Sequence, residues 1–179
     1  MTIDALFEGR DSAIARDLKL NLKRALTESA LAGPEAPLAL LALGASLDAK
    51  PLKTLATELL AGHDVSPEQT REAAESAALM GMLNMYYRFR HMVGSGQGQA
   101  HVDEHYRQAG LRMTALGKPQ LGKERFEMLA FAVSVLGGCE MCINAHEQEL
   151  VQLGVGRDKL HDLARLASVA RGVDVLLRL

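Results

Sequence analysis

Tryptophan is absent from this 179-residue chain, tyrosine occurs three times, phenylalanine four times and cysteine only twice. With aromatic residues at 4% and hydrophobic residues at 48%, a core has to be filled by Ala, Leu, Val and Met, a mixture that favours helix on helix over sheet packing. No apolar run approaches the length of a membrane span, and Asp4, Glu8, Arg10 and Asp11 stand where the apolar stretch of a secretion signal would lie. Basic runs are missing as well, and the formal net charge is -2, so nothing marks a nucleic-acid partner. These absences lead us to expect a cytoplasmic protein with neither nucleic acid nor membrane as partner. In such a compartment a lone cysteine pair is expected to be catalytic or redox-sensing rather than a static staple.

What is present is helical periodicity. The length suits a single multi-helix domain over residues 1–179, with room for two similar halves. Ile14, Leu18, Leu22, Ala25, Leu26 and Ser29 form a stripe that predicts a helix over residues 11–32, ended near Gly33-Pro34. A nearly all-apolar segment at 37–49 predicts a buried helix, and Pro51 opens another that Gly62 closes. Ser66-Pro67-Glu68-Gln69 is a capping-box start for a helix running to about Val93, with Gly81 as a candidate bend. The Gly94–Gly98 loop follows a helix rather than a strand, the wrong context for phosphate binding, and reads as a connection. His101 and His105 have the i, i+4 spacing of a metal pair, although Asp103 and Glu104 between them mark a solvated surface. Gly117, Pro119 and Gly122 break the chain before an apolar helix at 123–136, and two more follow at about 139–153 and at about 157–171, the last with an extension through Asp174 toward Leu179 left open. The expected class is all-α, with seven or eight helices and no strand.

Both cysteines fall in Gly137-Gly138-Cys139-Glu140-Met141-Cys142-Ile143-Asn144-Ala145-His146. On a helix, Cys139, Cys142 and His146 share one face, and the imidazole leans toward the turn that carries Cys142. The glycine pair ends the preceding helix, and unpaired N–H groups at the next helix start favour a thiolate, Cys139 most of all. Three chemistries fit the residues: buried cysteines acting as small hydrophobes, three ligands of a zinc site that lacks a fourth, or a redox dithiol in which one thiolate attacks and the other resolves. The redox dithiol is the favoured reading. Haem attachment would need a histidine where Ile143 stands.

Glu127 is a carboxylate in an otherwise apolar helix, twelve residues before Cys139. Either it lies on a solvated strip, or its helix folds back so that it bonds one nitrogen of His146 and leaves the other to take the Cys142 proton. Laying the chain on itself at an offset of 55 pairs Glu72, Asn84, Tyr87 and His91 with Glu127, Cys139, Cys142 and His146, suggesting a degenerate repeat whose first half lacks the thiols. In that reading His91 is structural or at an interface.

The pattern Glu127-x11-Cys139-x-x-Cys142-x3-His146, with Ser134 inside it, resembles the alkyl hydroperoxidase D family of bacterial antioxidant proteins, within the carboxymuconolactone decarboxylase-like superfamily. Lys19-Leu20-Asn21-Leu22, Met80-Gly81-Met82, Tyr87-Arg88, Gly110-Leu111-Arg112-Met113 and Ala145-His146-Glu147 extend the likeness over nearly the whole chain. The resemblance implies an all-helical protomer, commonly a homotrimer, that reduces alkyl hydroperoxides and regenerates a peroxiredoxin of the alkyl hydroperoxide reductase C type. It implies that Cys142 is peroxidatic and passes through a sulfenic acid and that Cys139 resolves it into a redox-active disulfide, within helices at about 123–153; the residues' own pattern adds His146 as general base and Glu127 as the group that orients it. It further implies dihydrolipoamide as reductant, carried on a lipoyl-bearing acyltransferase, and no tightly bound cofactor or metal. Where some relatives have a histidine before the second cysteine, this chain has Met141. Decarboxylases of the wider superfamily lack the thiol pair, which separates this chain from them. Two readings stand beside the peroxidase: a dithiol electron adaptor that never meets peroxide, and a metal-binding or redox-sensing interaction protein.

Overall fold

Each of the seven periodic segments becomes a helix in the computed structural model, which describes residues 1–95 and 104–179. In chain order the helices are α1 Ile3–Leu6, α2 Ala13–Thr27, α3 Glu35–Ser46, α4 Lys50–Leu60, α5 Pro67–Ser95, α6 Glu104–Arg107, α7 Lys123–Gly137, α8 Glu140–Gln152 and α9 Arg157–Arg178, with a 3₁₀ turn at Thr114–Gly117. Helices α1 and α6 are single turns that periodicity could not register. Among the described residues there is no strand, and the class is all-α. Of the Gly94–Gly98 connection only Gly94 and Ser95 are described, as the end of α5. His101, needed for a metal pair with His105, lies outside the described residues.

Two apolar helices make the centre. Helix α3 is buried at every position from Ala36 to Gly44 and packs against α4, α5, α7 and α9. Helix α7 is buried from Met128 to Ser134 and packs against α3, α5, α8 and α9. Over these spans neither shows a polar face, because neighbours cover every side. Leu38, Leu40, Leu43, Leu129, Leu163 and Leu166 are among the fully enclosed side chains, each contributing about 1.5–3 kcal/mol by leaving water.

The helix ends follow local chemistry. Ser66 and Gln69 complete the capping box reciprocally, Gln69 N donating to Ser66 Oγ at 3.2 Å and Ser66 N to Gln69 Oε1 at 3.0 Å. Helix α5 then runs unbroken through Gly81, where a bend was expected. Helix α2 stops at Thr27, short of the expected residue 32, where two side chains, one distant and one local, claim the backbone N–H groups that follow. Ala30 N donates to Asp162 on α9 at 2.8 Å, and Ala32 N to Glu35 at 2.7 Å.

The chain does contain two similar halves, in a register the offset of 55 missed. Helices α3, α4 and α5 correspond to α7, α8 and α9 at a shift of 90, which carries Asp48 to Gly138 and Arg88 to Arg178. Asp48 (φ 51) and Gly138 (φ 63) are both left-handed. Ala49 N donates to Gly44 O at 2.8 Å and Cys139 N to Ser134 O at 3.2 Å, the same closing bond on α3 and on α7. Ala49, Leu52 and Ala56 therefore stand where the second half has Cys139, Cys142 and His146. The offset of 55 instead matched one continuous helix, α5, to residues on both sides of the break at Gly138.

Candidate active site

The dithiol sits on the corner between α7 and α8, and backbone chemistry makes the corner. Gly138 adopts φ 63, where a side chain would be strained. Its N–H donates to Val135 O at 3.1 Å while Cys139 N donates to Ser134 O at 3.2 Å, a Schellman closure of α7. Cys139 is thereby turned into the N-cap of α8 rather than its first helical residue, and its Sγ accepts from Cys142 N at 3.3 Å. Its sulfur thus replaces the usual capping oxygen. Cys139 and Cys142 are joined by a disulfide, with Cα atoms 5.3 Å apart. The two differ in access: Cys139 is 0% exposed and Cys142 6%.

His146 lies one turn beyond Cys142 on α8 and meets α7, which packs against it. Its Nδ1 is 2.6 Å from Glu127 Oε2, and both side chains are 15% exposed. A bond this short between a carboxylate and an imidazole fixes the ring and leaves Nε2 as the nitrogen available for proton transfer. One turn before Glu127, Lys123 pairs with Glu149 on α8. The Glu149 hydrogen bond, and then its charge, hold the Lys123 ammonium above the ordinary lysine range, with a further contribution from Glu127. Lys123 and Glu149 pin the N-terminal end of α7 to α8 beside the Glu127–His146 contact.

Helix α5 supplies a third wall that the sequence did not reveal. Asn84, 5% exposed, donates from Nδ2 to Val133 O at 3.2 Å and accepts from Ser134 Oγ at 3.0 Å. Arg88 Nη1 donates to Gly137 O at 2.8 Å. His91 Nε2 lies 3.4 Å from Glu140 Oε2. The three residues form one stripe of α5 that follows α7 across the corner onto α8. Gly137 leaves room for that approach, since a Cβ there would stand 2.8 Å from Asn84 Nδ2 and displace it. Asn84 and His91 entered the sequence reading only through the mistaken repeat register, and Arg88 only through a resemblance. No local spacing marks them, because their partners lie about fifty positions away.

Cys139, Cys142, His146 and Glu127 are thus gathered into one cluster. Among the described residues no group of three or more His, Cys, Asp or Glu is arranged to hold a metal. The separate groove of about 650 Å³ between α2 and α9, lined by Arg24, His161 and Arg165 among others, holds none of the four. Chemically, the cluster can cycle a sulfur pair between dithiol and disulfide beside an oriented imidazole.

The profile of the Carboxymuconolactone decarboxylase family matches residues 103–179, the half that carries the thiols. A protein of Anaeromyxobacter dehalogenans (strain 2CP-C) named "Alkyl hydroperoxide reductase AhpD" is 40% identical over 92% of this chain and 85% of its own length. Proteins of the same name from Streptomyces coelicolor and Methylobacterium sp. (strain 4-46) are 36% and 34% identical, over 91% and 99% of this chain and 88% and 96% of theirs.

Proposed function

The chain belongs to the AhpD family of alkyl hydroperoxide reductases, and from that membership we propose that it is an antioxidant thiol peroxidase acting on alkyl hydroperoxides through Cys139 and Cys142. The observation that carries the reading is the disulfide between these residues with His146 one turn on, held by Glu127 at 2.6 Å.

Cys142 is the peroxidatic residue. It is the more exposed of the two cysteines and the one that His146 follows by one helical turn. His146 takes the Cys142 proton, and the thiolate attacks the terminal peroxide oxygen. The O–O bond breaks, the alcohol leaves with a proton, and Cys142 becomes a sulfenic acid. Cys139 then attacks that sulfur, water departs, and the disulfide closes. Dihydrolipoamide, carried on a lipoyl-bearing acyltransferase, returns two electrons and two protons and is itself oxidised to the cyclic disulfide. The same dithiol regenerates a peroxiredoxin of the alkyl hydroperoxide reductase C type. Glu127 acts through His146 by fixing its ring. We place the protein in the cytoplasm as a homotrimer of single-domain chains. The exposed apolar residues Met82, Met85, Phe89 and Met92, recurring at helical spacing along α5, offer surface for assembly.

A second reading rests on the same disulfide: the dithiol carries electrons from a lipoyl group to another protein's disulfide without meeting peroxide itself. One assay separates the two. Consumption of an alkyl hydroperoxide is followed with dihydrolipoamide as reductant, with and without the peroxiredoxin. Turnover without the peroxiredoxin, lost in Cys142→Ser, supports the peroxidase. Full activity retained by Cys142→Ser would end that mechanism, and turnover only with the peroxiredoxin would select the adaptor.

A further inference from the structure

Arg88 and Arg178 occupy equivalent places in the two halves. Arg88 Nη1 donates to Gly137 O at 2.8 Å and Arg178 Nη2 to Leu47 O at 2.6 Å, each clasping the carbonyl at the end of the other half's central helix. One turn before each arginine comes a buried polar residue, Asn84 at 5% exposure and Asp174 at 4%. Asp174 neutralises its arginine, accepting from Arg178 Nε at 2.9 Å, with Arg171 3.8 Å from the same carboxylate. Asn84 has no charge to offer and bonds α7 instead. Arg88 Nε is therefore buried without a hydrogen-bond partner, and no carboxylate lies within ion-pair distance of Arg88 among the described residues.

The arginine without a carboxylate is the one that reaches across from α5 to clasp the half that carries the thiols. The contacts of α5 bracket Cys139, with Arg88 at Gly137 before it and His91 at Glu140 after it. The nearby acids are already engaged, Glu140 facing His91 and Glu127 facing His146. We infer that Arg88 is a positioning residue for the dithiol: its hydrogen bond holds the corner on which Cys139 sits, and its uncompensated charge favours the thiolate of the reduced pair. A cation near a thiol in a partly buried setting stabilises the anionic form, and a carboxylate beside that cation would cancel much of the effect. Asparagine at position 84, where the other half has aspartate, is what keeps the charge available.

The inference rests on the dithiol reading but not on peroxide as oxidant, and its test is thiol chemistry alone. Iodoacetamide alkylation of the reduced protein is measured against pH, with thermal melting on the same samples. Arg88→Met removes the charge, Arg88→Lys keeps it, and Asn84→Asp leaves Arg88 in place but gives it the carboxylate that Arg178 has. Arg88→Met and Asn84→Asp are expected to move the profile to higher pH and slow alkylation at pH 7 about threefold, while Arg88→Lys stays near the unmutated curve. Profiles for the methionine and aspartate variants that overlay the unmutated one would overturn the inference, whatever happens to melting. Hydroperoxide consumption read in parallel separates the two ideas. An unmutated protein that alkylates but consumes no peroxide sinks the peroxidase and leaves the shift attributable to Arg88 intact.

Discussion

Cys142 and His146 stand one helical turn apart on α8, and Glu127 reaches His146 from α7 at 2.6 Å. Under the proposed relay, replacing His146 by Gln takes away the proton acceptor while keeping a polar side chain, and is expected to slow hydroperoxide reduction roughly 10²-fold, measured as single-turnover consumption by the prereduced protein. Glu127→Gln should give a smaller loss in the same direction, because the ring keeps its proton chemistry and loses only its fixed orientation. Equal rates in all three proteins would remove the relay. Lys123 gives a prediction with a defined sign. Its folded-state value is raised above 10.5, first by the Glu149 hydrogen bond, so its contribution to stability is present in full below that value and is lost as pH rises through the folded one. The urea midpoint of Lys123→Met should accordingly fall less than that of the unmutated protein between neutral and strongly alkaline pH. Cys139, Cys142 and His146 were legible from spacing alone, since one short segment sets their relation. Glu127 was legible as a misplaced charge in an apolar helix. Asn84 and Arg88 were not, because only packing of α5 against α7 gives them partners.

At the level of elements, the corner at Gly138 decides where the sulfurs stand. Gly138→Ala places a side chain at φ 63, which costs about 1–2 kcal/mol, and relief of that strain would disturb the Schellman closure that makes Cys139 an N-cap. The expected result is a lowered urea midpoint together with slower disulfide formation by the prereduced protein. Loss of stability with unchanged disulfide formation would show that the corner only supports the fold. Ser66→Ala offers a control remote from the thiols, expected to cost about 1 kcal/mol through loss of the α5 cap with the thiol kinetics unaltered. Helix starts were readable because caps are local chemistry. The end of α2 was not, since Asp162 on α9 takes Ala30 N from the chain, and no residue near Ala30 announces it.

Across the whole molecule, two copies of a three-helix plan share one core, and each is closed by an arginine from the other. Breaking the two clasps should have unequal consequences. Arg178→Met leaves Asp174, with its side chain 5% exposed, short of its main partner and is expected to cost roughly 2–3 kcal/mol, below the range for a fully buried pair because Arg171 remains close. Arg88→Met strands no buried carboxylate and should cost less, as urea unfolding of the two variants would show. Equal costs would mean that the carboxylate is not what distinguishes the halves.

The residues by themselves determined the all-α class, the seven longer helices, and the placing of both thiols and an imidazole along one segment, because helical periodicity, capping and short-range spacing are written locally. They also carried family membership, since the likeness extends along the chain. Tertiary structure alone decided the register of the repeat, the pairing of Glu127 with His146, and the clasp of Arg88 beside Asn84. Those relations join positions that become neighbours only when α5, α7 and α8 pack together, and a buried polar group takes its partner from whatever packing brings within reach.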